Sequence, residues 1–154
     1  MATITKKGYG QVEPNHLSAQ RTAQIYAQLP LEMDQLEQGQ FAKYDLKTGK
    51  VNLSGAGEWM LCFSEVKTYG PRETAADFVN VKDGVCPRLF KTNVGDIFTT
   101  NTVKGNIEEE GNTILKIDAT GYLAVDGTSD EEWQVVKITT LPDGQPAVKV
   151  MRIK

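Results

Sequence analysis

Histidine occurs once in the 154 residues, at position 16, so a Ser-His-Asp relay or a Cys-His pair would have to pass its proton through His16. That residue sits two positions after Pro14 in a polar leader interrupted by Gly8 and Gly10. Nucleophilic catalysis needs its base held in one geometry, and such a leader does not provide it. Metal hydrolysis has no footing either. The chain has no His-x-x-x-His and no Cys-x-x-Cys, and Cys62 and Cys86 are separated by 23 residues with no histidine near either. The two cysteines are expected as buried thiols, since a disulfide would require an oxidising compartment. No catalytic, metal or cofactor residue is assigned, and the chain is expected not to be an enzyme.

Carboxylates are abundant, and a paired set could serve glycoside hydrolysis. The two clusters, Glu108–Glu110 and Asp130–Glu132, lie beside Gly111 and between Gly127 and Trp133, where solvated loop tips are expected. Gly55-Ala56-Gly57 invites a phosphate-loop reading, but it is followed by the strand-like EWMLCFSEV and not by a helix whose N-terminus could hold an anion. A bulge or tight bend is expected there. Trp59, Trp133, Tyr69 and Phe98 could act as ligand platforms. Each tryptophan opens an apolar run, so core packing is the expectation.

Charge separates two parts of the chain. The net charge is −3, which gives no footprint for a polyanion, yet residues 1–30 carry Lys6, Lys7 and Arg21 against Glu13 alone. Nucleic acid is therefore not expected as a partner of the whole chain. No apolar run follows the lysines of MATITKKGYGQVE, and no stretch reaches the roughly 20 residues needed to cross a bilayer, so a soluble protein made in the cytoplasm and binding no membrane is expected.

The elements follow from these patterns. Residues 1–30 read as an extended arm that orders only against something else, with one short helix over Ser18–Gln28 stopped by Pro30. Residues 31–154 read as a single, mainly β domain, a small antiparallel β-barrel or sandwich of about nine short strands. The strands are expected at Phe41–Asp45, Lys50–Leu53, Trp59–Val66, Phe78–Val81, Ile97–Thr100, Thr113–Asp118, Tyr122–Val125, Trp133–Thr140 and Ala147–Ile153. Lys47-Thr48-Gly49, Asp83-Gly84, Thr120-Gly121 and Asp143-Gly144 each offer a glycine for a positive-φ hairpin turn. The doublet Val135-Val136 points to a bulge or to strands covered on both faces. KYDLKTGKVNLSG and KIDATGYLAVDG share Lys-x-Asp followed by Thr-Gly, which reads as two hairpins built by one rule.

The opening MATITKKGYGQVEP, the segment QFAKYDLKTGKVNLSGAGEW, VGDIFTTN and the ending EEWQVVKITTLPDGQPAVKVMRIK together resemble the small head decoration, or cement, proteins of tailed bacteriophages. The resemblance implies a non-enzymatic virion protein with a β body over joints between subunits of the major capsid protein, often a trimeric homo-oligomer, with an arm that reaches a neighbour. On that reading the anchors of the arm are Tyr9, Leu17, Ile25 and Tyr26, and removing residues 1–28 should leave a folded domain that no longer binds capsids. The alternative is a freestanding β-barrel module for nucleic acid or carbohydrate using Trp133 or Trp59; a carboxylate hydrolase ranks third.

Overall fold

The C-terminal hairpin organises the domain. In the computed structural model, which describes residues 2–19, 29–66, 70–108 and 112–154, the long strands β14 (Trp133–Thr140) and β15 (Pro146–Arg152) pair antiparallel from Trp133↔Arg152 to Thr140↔Pro146. Their turn closes where sequence chemistry requires it: Gly144 takes φ +86°, and its N–H donates to the Leu141 carbonyl at 2.8 Å. The register shifts between Val135 and Lys137, so the valine doublet is a bulge.

Five further strands extend this hairpin: β2 (Val12–His16), β9 (Ile97–Thr100), β10 (Val103–Lys104), β12 (Ile114–Ile117) and β13 (Leu123–Ala124). The order is β10-β13-β12-β14-β15-β9-β2, and only the β10–β13 pair is parallel. A second sheet runs β5 (Lys50–Asn52), β4 (Phe41–Asp45), β6 (Met60–Cys62), β8 (Leu89–Phe90). Two small pairs complete the described strands: β1 (Ala2–Thr3) with β11 (Asn106–Ile107), and β3 (Gln35–Leu36) with β7 (Asn80–Val81). The molecule is mainly β, as expected. Among the described residues, however, the sheets do not close into a barrel.

Alternation explains the layering. Phe41 and Leu61, paired across β4 and β6, face the large sheet and join Phe98, Leu115, Ile117, Trp133, Val135, Val148 and Val150 in one buried cluster. Ala42 and Met60, the next pair, point the other way, into a second cluster with Leu31, Leu36, Val51 and Leu89. The four-stranded sheet is thus buried on both faces, which is why MLC reads as an unbroken apolar run. At the centre, Trp133 meets Phe98 edge-on at 5.1 Å and Phe41 at 5.7 Å.

The two similar segments obey one rule. Asp45 and Asp118 each accept the backbone N–H two residues on, and each carbonyl receives the N–H of the turn glycine, Gly49 or Gly121. Gly121 also has a packing reason: a Cβ there would overlap the Phe41 carbonyl oxygen. Gly84 departs from expectation, since it has no positive φ. Its role is close approach, because a Cβ would lie 2.8 Å from Val81 Cγ2.

Residues 2–19 do not form an arm awaiting a partner. They supply β1 and β2, and β2 closes one end of the large sheet against β9. Pro14 is tolerated because an end strand can lack an N–H on its open side. The expected helix falls largely on residues 20–28, outside the described residues.

Candidate functional site

The register of the large sheet separates a dry face from a wet one. One outward row crosses five strands: Ile114, Gln134, Met151, Ile97 and His16 are successive partners. Ile114 and His16 are exposed and the three between them half-buried. The bulge adds Val136, which is 41% exposed while Val135 beside it is fully buried. The next outward row reads Lys137, Lys149, Thr99, Glu13. Apolar side chains interleaved with Gln134 and His16, beside a row whose solvent-accessible members Lys137, Lys149 and Glu13 are charged while Thr99 is buried, make a mixed surface suited to binding another macromolecule. Composition could not reveal it, because it depends on which of two alternating sets faces out.

Of the four expected anchors, Tyr9 and Leu17 fall among the described residues, and both are engaged within the domain. Tyr9 is half-buried and its N–H donates to the Ala76 carbonyl at 2.7 Å, at a short 3-10 turn over Ala75–Asp77. Leu17 is buried in the main core, so its side chain is used within the domain. Ile25 and Tyr26 lie outside the described residues, as does Tyr69.

The leader is held by a polar knot that sequence reasoning missed. Glu37 pairs with Lys6, accepts from Gly10 N–H at 2.9 Å and receives the Tyr122 hydroxyl at 2.8 Å. Lys6 and Lys104 lie 5.1 and 4.3 Å from the Tyr122 ring centroid. Burial opposes ionisation of Glu37, but the bonds from Lys6, Tyr122 and Gly10 together with the Lys6 charge outweigh it and hold the carboxyl below its ordinary range. Burial, and then the Glu37 carboxylate, push the Tyr122 phenol up, so Tyr122 is a fixed donor and no general base.

Of the first acidic cluster only Glu108 is described. Glu109 and Glu110 are outside the described residues. In the second cluster the expectation of a solvated tip fails for Glu131, which is buried and 3.4 Å from Arg152. Glu131 Oε2 and Trp133 Nε1 are both buried without a hydrogen-bond partner. Burial pushes the Glu131 carboxyl up to about 6, partly offset by the Arg152 charge and by the indole N–H, which lies close without reaching hydrogen-bond geometry. Because the folded state then holds the proton more tightly than the unfolded chain, with its ordinary value of 4.5, this group's stabilisation is fully present below that value and is lost as pH rises through about 6. Urea midpoints at pH 5 and 7.5 should show a loss of about 1 kcal/mol from Glu131, and Glu131→Gln should flatten that part of the profile. Equal slopes in both proteins would contradict the assignment.

The remaining motifs are structural. Ser54 and Gly55 N–H groups donate to Asn52 Oδ1, so Gly55-Ala56-Gly57 belongs to a tight bend. Trp133 and Phe98 are core residues, and Trp59 is half-buried with Lys43 Nζ 4.4 Å from its ring centroid. No disulfide joins the cysteines; Cys62 is fully buried, which pushes its thiol up to about 12, while Cys86 is half-buried. Among the described residues no group of three or more His, Cys, Asp and Glu could hold a metal, and no helix is long and apolar enough to cross a membrane. A cavity lined by Glu108, Asp118 and Asp126 also contains Lys104. Burial works against ionisation of Asp118, yet bonds from Thr120 and Tyr122 and the Lys104 charge hold its carboxyl low, opposite to what a general acid needs.

No protein-family model, curated protein or solved structure matches this chain.

Proposed function

We propose that the protein is a non-enzymatic structural component of a bacteriophage virion, made in the host cytoplasm, that binds the capsid surface and stabilises contacts between major capsid subunits, acting as a homo-oligomer. The observation that carries this reading is the outward side of the seven-stranded sheet, where Ile114, Val136, Met151 and Ile97 stand among Gln134 and His16 beside Lys137 and Lys149. A sheet fixes the spacing of its side chains, and a binding surface built on one loses little conformational entropy when it docks. The rival reading as a module for oligonucleotides or glycans relied on Trp133 and Trp59. The first is sealed in the core and the second is covered by Lys43.

The test is mass spectrometry of purified particles from the source, with copy number measured against the major capsid protein. A fixed stoichiometric ratio is expected, and absence from particles would remove the reading.

A further inference from the structure

Lys137 and Lys149 face each other directly across β14 and β15 on the outward side of the large sheet, one position beyond the bulge. Like charges directly opposed on neighbouring strands destabilise a sheet. The other cations of the same sheet are compensated: Lys104 pairs with Asp118, Lys116 with Glu132 and Arg152 with Glu131. Neither Lys137 nor Lys149 has an ion pair with any described acid. The one acid in their row, Glu13, is two strands from Lys149 with Thr99 between, and the Thr99 hydroxyl is turned to Asn15. A fold that neutralises every other cation of a sheet and leaves two in opposition has a local conflict at that spot, and such conflicts concentrate at functional positions.

From this opposition we propose that Lys137 and Lys149 receive carboxylates from the capsid protein, with Val136, Met151 and Ile97 beside them forming the apolar part of the contact. The inference rests on the capsid-binding reading and names the partner chemistry of that surface. A protein partner fits better than nucleic acid. Two lysines beside an aliphatic strip match the apolar centre and charged margin of a protein interface, whereas single-strand binding calls for stacking aromatics and a wider basic field than a chain of net charge −3 supplies. A bound carboxylate pair relieves the repulsion, so the lysines favour the complex more than the isolated protein.

The experiment is co-sedimentation of the full chain with source particles depleted of it, using the wild type, Lys137→Glu, the double variant Lys137→Glu/Lys149→Glu, and a control carrying the same charge change at the exposed turn residues Lys47→Glu/Lys82→Glu. The double variant exchanges one like-charge pair for another, so its folding should match the wild type by circular dichroism. It should bind at least about tenfold more weakly, and wild-type binding should weaken as salt is raised. Lys137→Glu alone creates an attractive cross-strand pair and should raise the thermal midpoint while also weakening binding, a combination that a merely structural role would not give. If the wild type and the double variant sediment equally, this surface is not the contact, although the capsid-binding reading survives. If the wild type fails to bind particles at all, both fall. Retention of an oligonucleotide by the wild type and not by the double variant would overturn the carboxylate partner in favour of phosphate.

Discussion

Trp133→Ala should lower the unfolding free energy by about 3–5 kcal/mol, the range for removing a large aromatic side chain from a packed core. Small domains have only about 5–15 kcal/mol in total, so the variant should be close to unfolded at 37 °C. Trp133 is fully buried, lies on the inward face of β14 beside Arg152 of β15, and touches Phe41 from the second sheet and Phe98 from β9. Its ring contact with Phe41 joins the two sheets in the shared core, so truncation leaves a cavity between them. Urea unfolding followed by circular dichroism is the measurement. Val136→Ala, on the outward side of the same strand, is the comparison and should shift stability by no more than about 0.5 kcal/mol. Equal effects at the two positions would mean that the inward and outward faces have been assigned wrongly.

Glu37→Ala should cost about 2–4 kcal/mol, because it strands a half-buried lysine and a tyrosine hydroxyl and removes three bonds to one carboxylate. Glu37→Gln keeps an acceptor and loses the charge, so about half of that loss is expected. The pH sign is opposite to that of Glu131. The Glu37 carboxyl is held below its ordinary value, so its stabilisation is present above about pH 4.5 and is lost as pH falls through the lower, folded value. With Glu131 losing its contribution as pH rises from 4.5 through about 6, the two groups together place their stability maximum near pH 4.5. The knot also bears on truncation. Removing residues 1–28 takes away β2, the Leu17 side chain from the core and the Lys6 partner of Glu37, so the shortened chain should be markedly destabilised and not an intact domain. A truncated protein with an unchanged urea midpoint would contradict this.

What the chain alone determined was local. Glycine and aspartate placed the hairpins at Asp45–Lys50, Asp118–Tyr122 and Leu141–Gln145, because a tight turn needs a positive φ and a nearby side-chain acceptor, and both are coded within a few residues. The valine doublet narrowed the choice to a bulge or a strand covered on both faces, since alternation is a nearest-neighbour property, and the register made it a bulge. The single histidine and the cysteine spacing narrowed any relay to His16 by counting, but the mobile leader expected around it does not hold, since His16 lies on β2 paired with Ile97.

Tertiary structure decided the rest, because each remaining feature depends on residues far apart in the chain. β1, β3, β10 and β11 are two residues long and carry no period; each exists only because a partner strand supplies its hydrogen bonds. Whether Val12–His16 is strand or leader turned on β9, some 85 positions away, offering an edge that accepts proline. The buried Glu131 reads as a loop acid until Arg152 is placed beside it. The opposition of Lys137 and Lys149 appears only once the bulge has set the register, since one extra residue decides which side chains of β14 stand across from those of β15 and which of them meet water.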